Sequence, residues 1–184
     1  MGQLTVGSNP TPSAMVDDDA AMGLALDEAA AAVAHGDVPV GALVLRDGEV
    51  LARRHNERER TGDPTAHAEV LALRDAAMAL GTWRLDGCTL VVSLEPCVMC
   101  AGALVAARVA RIVFGAADPN AGATGSLYNV CADPRLNHNL PVVAGVRAAE
   151  SSALLDAFFA ERRAATMPAR KDARVDEWDG LESR

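Results

Sequence analysis

Apolar residues recur along this chain with two alternating periods. From Asp17 to Val33 they return every three to four positions, the spacing that lays one stripe on an α-helix, and Gly36 closes the run. Asp17, Asp18 and Asp19 stand at its start, where carboxylates meet the positive end of the helix dipole. Two strand-like runs follow, Val40 to Leu45 and Val50 to His55, with the hairpin turn signal Asp47-Gly48 between them. Thr65 to Leu80 predicts a second helix stopped by Gly81, and Thr89 to Leu94 predicts a third strand. Pro96 opens a helix running from Cys97 to about Ala107; proline suits a first helical position because no N–H is needed there. Arg111 to Phe114 predicts a fourth strand. A Gly-rich loop extends through Ser126, with a short turn or helix over Leu127 to Cys131. Val142 to Val146 predicts a fifth strand, and Glu150 to about Ala165 a closing amphipathic helix. This order predicts an α/β fold with helices on both faces of a five-stranded sheet.

The chain has 184 residues, half of them hydrophobic, which suits one globular domain with a real core. We place that domain at 17–165, between a disordered extension (1–16) and a loose charged tail (166–184). No apolar run reaches the ~18–20 residues of a membrane span, and the first fifteen residues lack the basic start and apolar block of a signal peptide. A soluble, cytoplasmic protein is expected.

The formal charge of −8 argues against a nucleic-acid partner until its distribution is considered. Residues 1–28 carry five acids and no Lys or Arg, and residues 166–184 carry five acids and four bases. The body, 29–165, holds 15 acids against 13 bases and is nearly neutral. Charge therefore does not exclude RNA, and it supplies no basic stripe in its favour.

Four residues carry the candidate chemistry: His67, Glu69, Cys97 and Cys100. Cys97 and Cys100 are three apart on a predicted helix, so both sulfurs share one face. They sit in its first turn, where unpaired N–H groups stabilise thiolates. His67 offers a third ligand. Three protein ligands leave one tetrahedral zinc position open, the mark of a catalytic site, and water there ionises near pH ~7. Glu69 is positioned to take that water's proton if the site lies at the helix end, where Asp63-Pro64-Thr65 suggests it does. Other readings compete. Cys97 and Cys100 alone could be a redox pair or a zinc store, but His67 argues against both. Cys88 or Cys131 could close the site as a fourth ligand, although neither has ligand spacing and free cysteine is usually buried. A silent subunit with structural zinc would have no need of Glu69.

The combined His-x-Glu and Pro-Cys-x-x-Cys pattern resembles the zinc-dependent nucleobase deaminases. The likeness extends through Asp63–Glu69, Leu94–Ala103, Phe114–Asp118, Gly122–Ser126, Asn137-His138 and Phe158-Phe159. Over about residues 20–163 it points to the bacterial transfer-RNA adenosine-34 deaminases. That resemblance implies a three-layer α-β-α, cytidine-deaminase-like fold with a mixed sheet, one zinc ion (Zn2+) per subunit, and a homodimer. It implies conversion of adenosine to inosine at the wobble position of a transfer-RNA (tRNA) anticodon, with an arginine tRNA as the substrate. It puts Asn56 near the flipped base and ribose, the Ala68 N–H near the base, Asp118 in a substrate-facing loop, and Phe158 and Phe159 near the anticodon loop. Adjacent phenylalanines cannot share a helix face, so one is core and Phe159 is taken as the contact. The zinc motif alone leaves open a deaminase of free cytosine, guanine or a nucleotide, because pocket walls choose the base.

Overall fold

A computed structural model describes residues 16–166. The expected extension before residue 16 and most of the tail lie outside the described residues. Helix α1 (Asp18–Ala32) starts where Asp17 accepts the Ala20 N–H at 2.8 Å, so the aspartate cluster does cap it. A 3-10 turn (Val33–His35) ends at Gly36, which takes φ 74°. The hairpin β1 (Gly41–Arg46) and β2 (Glu49–His55) turns at Asp47 and Gly48, both at positive φ. A short helix α2 (Arg58–Thr61) follows, then α3 (Ala68–Leu80), β3 (Cys88–Leu94), α4 (Val98–Ala107), β4 (Arg111–Ala116), β5 (Val142–Ala144) and α5 (Ala148–Thr166).

The five strands form one sheet in the order β2-β1-β3-β4-β5. β1 is antiparallel to both β2 and β3, while β3, β4 and β5 run parallel, so the sheet is mixed as expected. Alternation along the strands divides the core into two layers. Ala42, Val44, Leu90, Val92, Ile112 and Phe114 pack on the α3–α4 side. Leu43, Leu45, Val91 and Val113 pack against Met22, Ala25 and Leu26 of α1. Gly41 permits this second layer: a Cβ there would overlap the Ala25 carbonyl and crowd the Ala29 N–H. Among the described residues no helix is long and apolar enough to cross a membrane.

Several boundaries differ from expectation. α3 begins at Ala68, not Thr65, because Asp63 Oδ1 accepts both the N–H and the hydroxyl of Thr65 (2.7 Å each) and makes a separate turn. α4 begins at Val98, with Cys97 as its N-cap. β5 stops at Ala144, because Gly145 turns at φ 85° and its N–H returns to the Phe114 carbonyl. Helix α2 has no counterpart in the hydrophobic pattern.

Candidate metal centre and active site

Two helix N-termini meet beyond the end of β3. His67 is the N-cap of α3, and Cys97 is the N-cap of α4, reached from β3 through Glu95 and Pro96. Cys100 follows one turn into α4 and is buried. His67 Nδ1 lies 3.8 Å from Cys97 Sγ and 3.6 Å from Cys100 Sγ, and the three ligand atoms lie within 4.8 Å of one another. A tetrahedral zinc with Zn–S of ~2.3 Å and Zn–N of ~2.0 Å spaces its donors about 3.5–3.8 Å apart. Both imidazole–sulfur distances match that spacing, so the donor set fits zinc. Among the described residues no fourth His, Cys, Asp or Glu joins the group. Cys88 and Cys131 are buried core residues, and burial pushes the Cys131 thiol up to about 11.

The electrostatics describe the same centre. A hydrogen bond from the Cys100 thiol, helped by one from His67, lowers Cys97 to about 3 against desolvation. That bond and burial push Cys100 upward. Interaction with Cys97 raises His67. A zinc ion held here would take both sulfurs as thiolates and the imidazole as a neutral ligand.

Glu69, in the first turn of α3, is 4% exposed, and burial raises its carboxyl above the usual range. It lines a cavity of about 150 Å³ together with His67, Cys97, Asn56, Arg58 and Asp118. His67 and Glu69 thus reach one site from a helix end, as the Asp63-Pro64-Thr65 turn suggested.

The expected substrate residues occupy two adjoining spaces. Asn56 is buried in the wall of the metal cavity, and its Oδ1 accepts the Ala68 N–H at 2.9 Å. The N–H expected to meet a base is therefore already engaged. Asp118 lines this cavity and a second one of about 510 Å³; the two also share Val38 and Leu94. Its Oδ1 accepts the N–H groups of Asn120 and Ala121, so it also shapes its own turn. Phe159 lines the larger cavity and is 41% exposed, while Phe158 is buried, which separates the pair as their adjacency requires. His138 donates to or accepts no ligand-site group; its Nε2 meets the Val109 carbonyl at 2.7 Å.

Two site residues were not singled out from the sequence. Arg58 brings a guanidinium to the metal cavity from α2. Glu95 is 2% exposed beside the zinc motif. Desolvation raises its carboxyl, but hydrogen bonds from Ser126, Asp118 and Thr124 outweigh that and leave it below its ordinary value. A charge at the end of an otherwise apolar strand was the available signal for Glu95.

The model of the cytidine and deoxycytidylate deaminase zinc-binding region matches residues 15–116. The chain is 48% identical over 158 residues to the tRNA-specific adenosine deaminase of Bacillus subtilis, covering 86% of this chain and 98% of that one. A structure solved in work on A-to-I editing by tRNA:A34 deaminases at the wobble position superposes with a TM-score of 0.71 at 43% identity, covering 73% of this chain and 98% of the other. A guanine deaminase from Nitrosomonas europaea superposes at 0.69 with 28% identity, covering 86% and 97%. Identity is higher to the two tRNA-deaminase relatives, 48% and 43%, than to the guanine deaminase, 28%; the chain belongs to the zinc-dependent cytidine and deoxycytidylate deaminase family, among its tRNA-specific adenosine deaminases.

Proposed function

We propose that this chain hydrolyses the exocyclic amino group of adenosine at the wobble position (34) of a tRNA anticodon, leaving inosine and ammonia. The observation that carries the reading is the convergence of His67, Cys97 and Cys100 on one point, with Glu69 in the same cavity. The 48% identity to a tRNA-specific adenosine deaminase supports the choice of substrate.

His67, Cys97 and Cys100 would hold zinc, which supplies water that ionises near pH ~7. The remaining work falls to the chain's own groups. Glu69 takes a proton from the attacking water and delivers it to purine N1 as the oxygen bonds to C6; it then takes the proton of the new C6 hydroxyl and passes it to the amino group, which leaves as ammonia as the C6–N bond breaks. Burial raises the Glu69 carboxyl, which suits that exchange because it favours return of the proton the carboxylate has taken. Asn56 offers its Nδ2 donor to the nucleotide, since the Ala68 N–H fixes its Oδ1. Ala68 contributes by holding that amide in place. Asp118 and Phe159 receive the neighbouring nucleotides in the larger cavity. Arg58 brings positive charge for a phosphate to a cavity whose carboxyl groups are those of Glu69, Glu95 and Asp118. An anticodon loop suits such a site because its bases are already single-stranded and cost less to extrude.

A homodimer, a cytoplasmic location and an arginine tRNA as substrate belong to the same reading. An apolar groove lined by Val70, Leu73, Ala77, Leu85 and Ala103, with Trp83 62% exposed at its side, supports a subunit contact. The test is turnover of an adenosine-bearing arginine anticodon stem-loop alongside free adenine, adenosine, cytosine and guanine. Inosine in the stem-loop is expected; deamination of a free base alone would select the rival reading.

A further inference from the structure

We propose that Glu95 is the positioning residue of this site, fixing the loop Asp118–Ser126 against the turn that carries Cys97. The proposal deepens the functional reading and rests on it only for the substrate used below.

Both carboxylate oxygens are committed to that loop. Oε1 accepts the Thr124 N–H (3.0 Å), the Thr124 hydroxyl (3.1 Å) and the Ser126 N–H (3.0 Å). Oε2 accepts the Asp118 N–H (3.0 Å) and the Ser126 hydroxyl. The loop closes tightly around the group: a Cβ at Gly122 would overlap the Glu95 carboxylate. On its other side Gly122 bridges to Cys97, and the Ala123 N–H donates to the Pro96 carbonyl at 2.8 Å. Glu95 therefore joins two things the reaction must hold in register. One is the turn that presents a metal-ligating sulfur. The other is the loop whose first residue, Asp118, walls both the metal cavity and the larger space beside it.

The donor pattern sets a specific chemical demand. Each oxygen receives at least one backbone N–H, and a backbone N–H can only donate. An amide in place of the carboxylate must turn its NH2 toward one of them, whichever way it lies. Glutamine is nearly isosteric with glutamate, so a residue that only filled space would tolerate the change. A residue acting through its two acceptors would not.

The test compares zinc-loaded, full-chain wild type with Glu95→Gln and with Ser126→Ala, which removes one donor from an exposed residue. Amide hydrogen exchange and steady-state deamination of an adenosine-bearing anticodon stem-loop are measured, with zinc content. Glu95→Gln is expected to keep stoichiometric zinc and to speed exchange at Asp118, Thr124 and Ser126 by about tenfold or more, because charge-assisted bonds are lost and a donor faces a donor. Exchange in α3 and β3 should keep its wild-type rate. KM for the stem-loop should rise by about tenfold with a smaller change in kcat. Ser126→Ala should show the same pattern more weakly, and it decides the matter if Glu95→Gln does not fold. Unchanged loop exchange overturns the proposal. So does acceleration spread through α3 and β3 with loss of zinc, which would mean that Glu95 holds the whole fold. If wild type fails to turn over the stem-loop, the substrate reading falls on its own and the exchange data still decide the role of Glu95.

Discussion

The backbone N–H of Ala68 donates to the side-chain Oδ1 of Asn56 across 2.9 Å, linking the end of the β1–β2 hairpin to the first residue of α3. Because a backbone N–H can only donate, the bond fixes which end of the amide is oxygen and leaves Nδ2 as the donor. The Asn56 N–H in turn donates to the Val40 carbonyl at 3.0 Å. One residue thus ties β1, β2 and the His67–Glu69 segment together at the cavity wall.

Asn56→Ala should therefore weaken both the fold and substrate binding. Leaving the buried Ala68 N–H without a partner costs about 1–3 kcal/mol, a fall in Tm of roughly 2–12 °C for a chain of this size. Thermal unfolding of the zinc-loaded variant checks the first effect, and KM for the stem-loop checks the second. A variant with unchanged Tm would show that the bond contributes nothing to the fold.

Arg58 should be read through salt. Each phosphate neutralised on a single strand contributes about −0.7 to the slope of log affinity against log salt. Arg58→Ala is expected to flatten the slope for stem-loop binding by about that amount, with a rise in KM larger than the fall in kcat. An unaltered slope in a salt titration would remove Arg58 from the phosphate contact.

Gly41→Ala tests the close approach of α1 to the sheet. The new methyl would meet the Ala25 carbonyl and the Ala29 N–H, both helix backbone, and Glu28 Cβ. Backbone yields less readily than a side chain, so a loss of about 1–3 kcal/mol is expected in a denaturant titration. A midpoint equal to wild type would show that α1 shifts freely on β1.

Metal removal should abolish ammonia release and lower Tm, and added zinc should restore both, since a ligand bound only by the folded state stabilises it by mass action. Cys97→Ser should reduce zinc stoichiometry measured after dialysis. Full turnover after chelation, with zinc absent by elemental analysis, would exclude the metal from the reaction.

Much of this was legible in the residues, and the exceptions have physical causes. The spacing of Cys97 and Cys100, and the turn before His67, located the centre because both signals are local. Asp47-Gly48, Gly36 and Gly81 are legible for the same reason, because they end elements through their own φ angles. Helix α2 was invisible because four residues are too few to show a period; it is held by Asp37, whose carboxylate accepts the N–H groups of Glu59 (2.8 Å) and Arg60 (3.3 Å) from more than twenty positions away. Arg58 was missed with it. Glu95 stood in plain sight beside Pro96, but its partners lie 23–31 residues downstream, and no local pattern announces them. The Ala68 N–H was assigned to a base by resemblance, and the competing acceptor on Asn56 emerged only when the hairpin was folded against α3.

The most direct test of the central claim is a paired measurement on Glu69→Ala: zinc per chain and ammonia released from the adenosine-bearing stem-loop. The account predicts one zinc per chain, as in wild type, with turnover lower by about 10²–10⁴, the contribution of a positioned general acid–base. Wild-type turnover by the zinc-loaded variant would contradict it, because the proton would then travel without the Glu69 carboxylate.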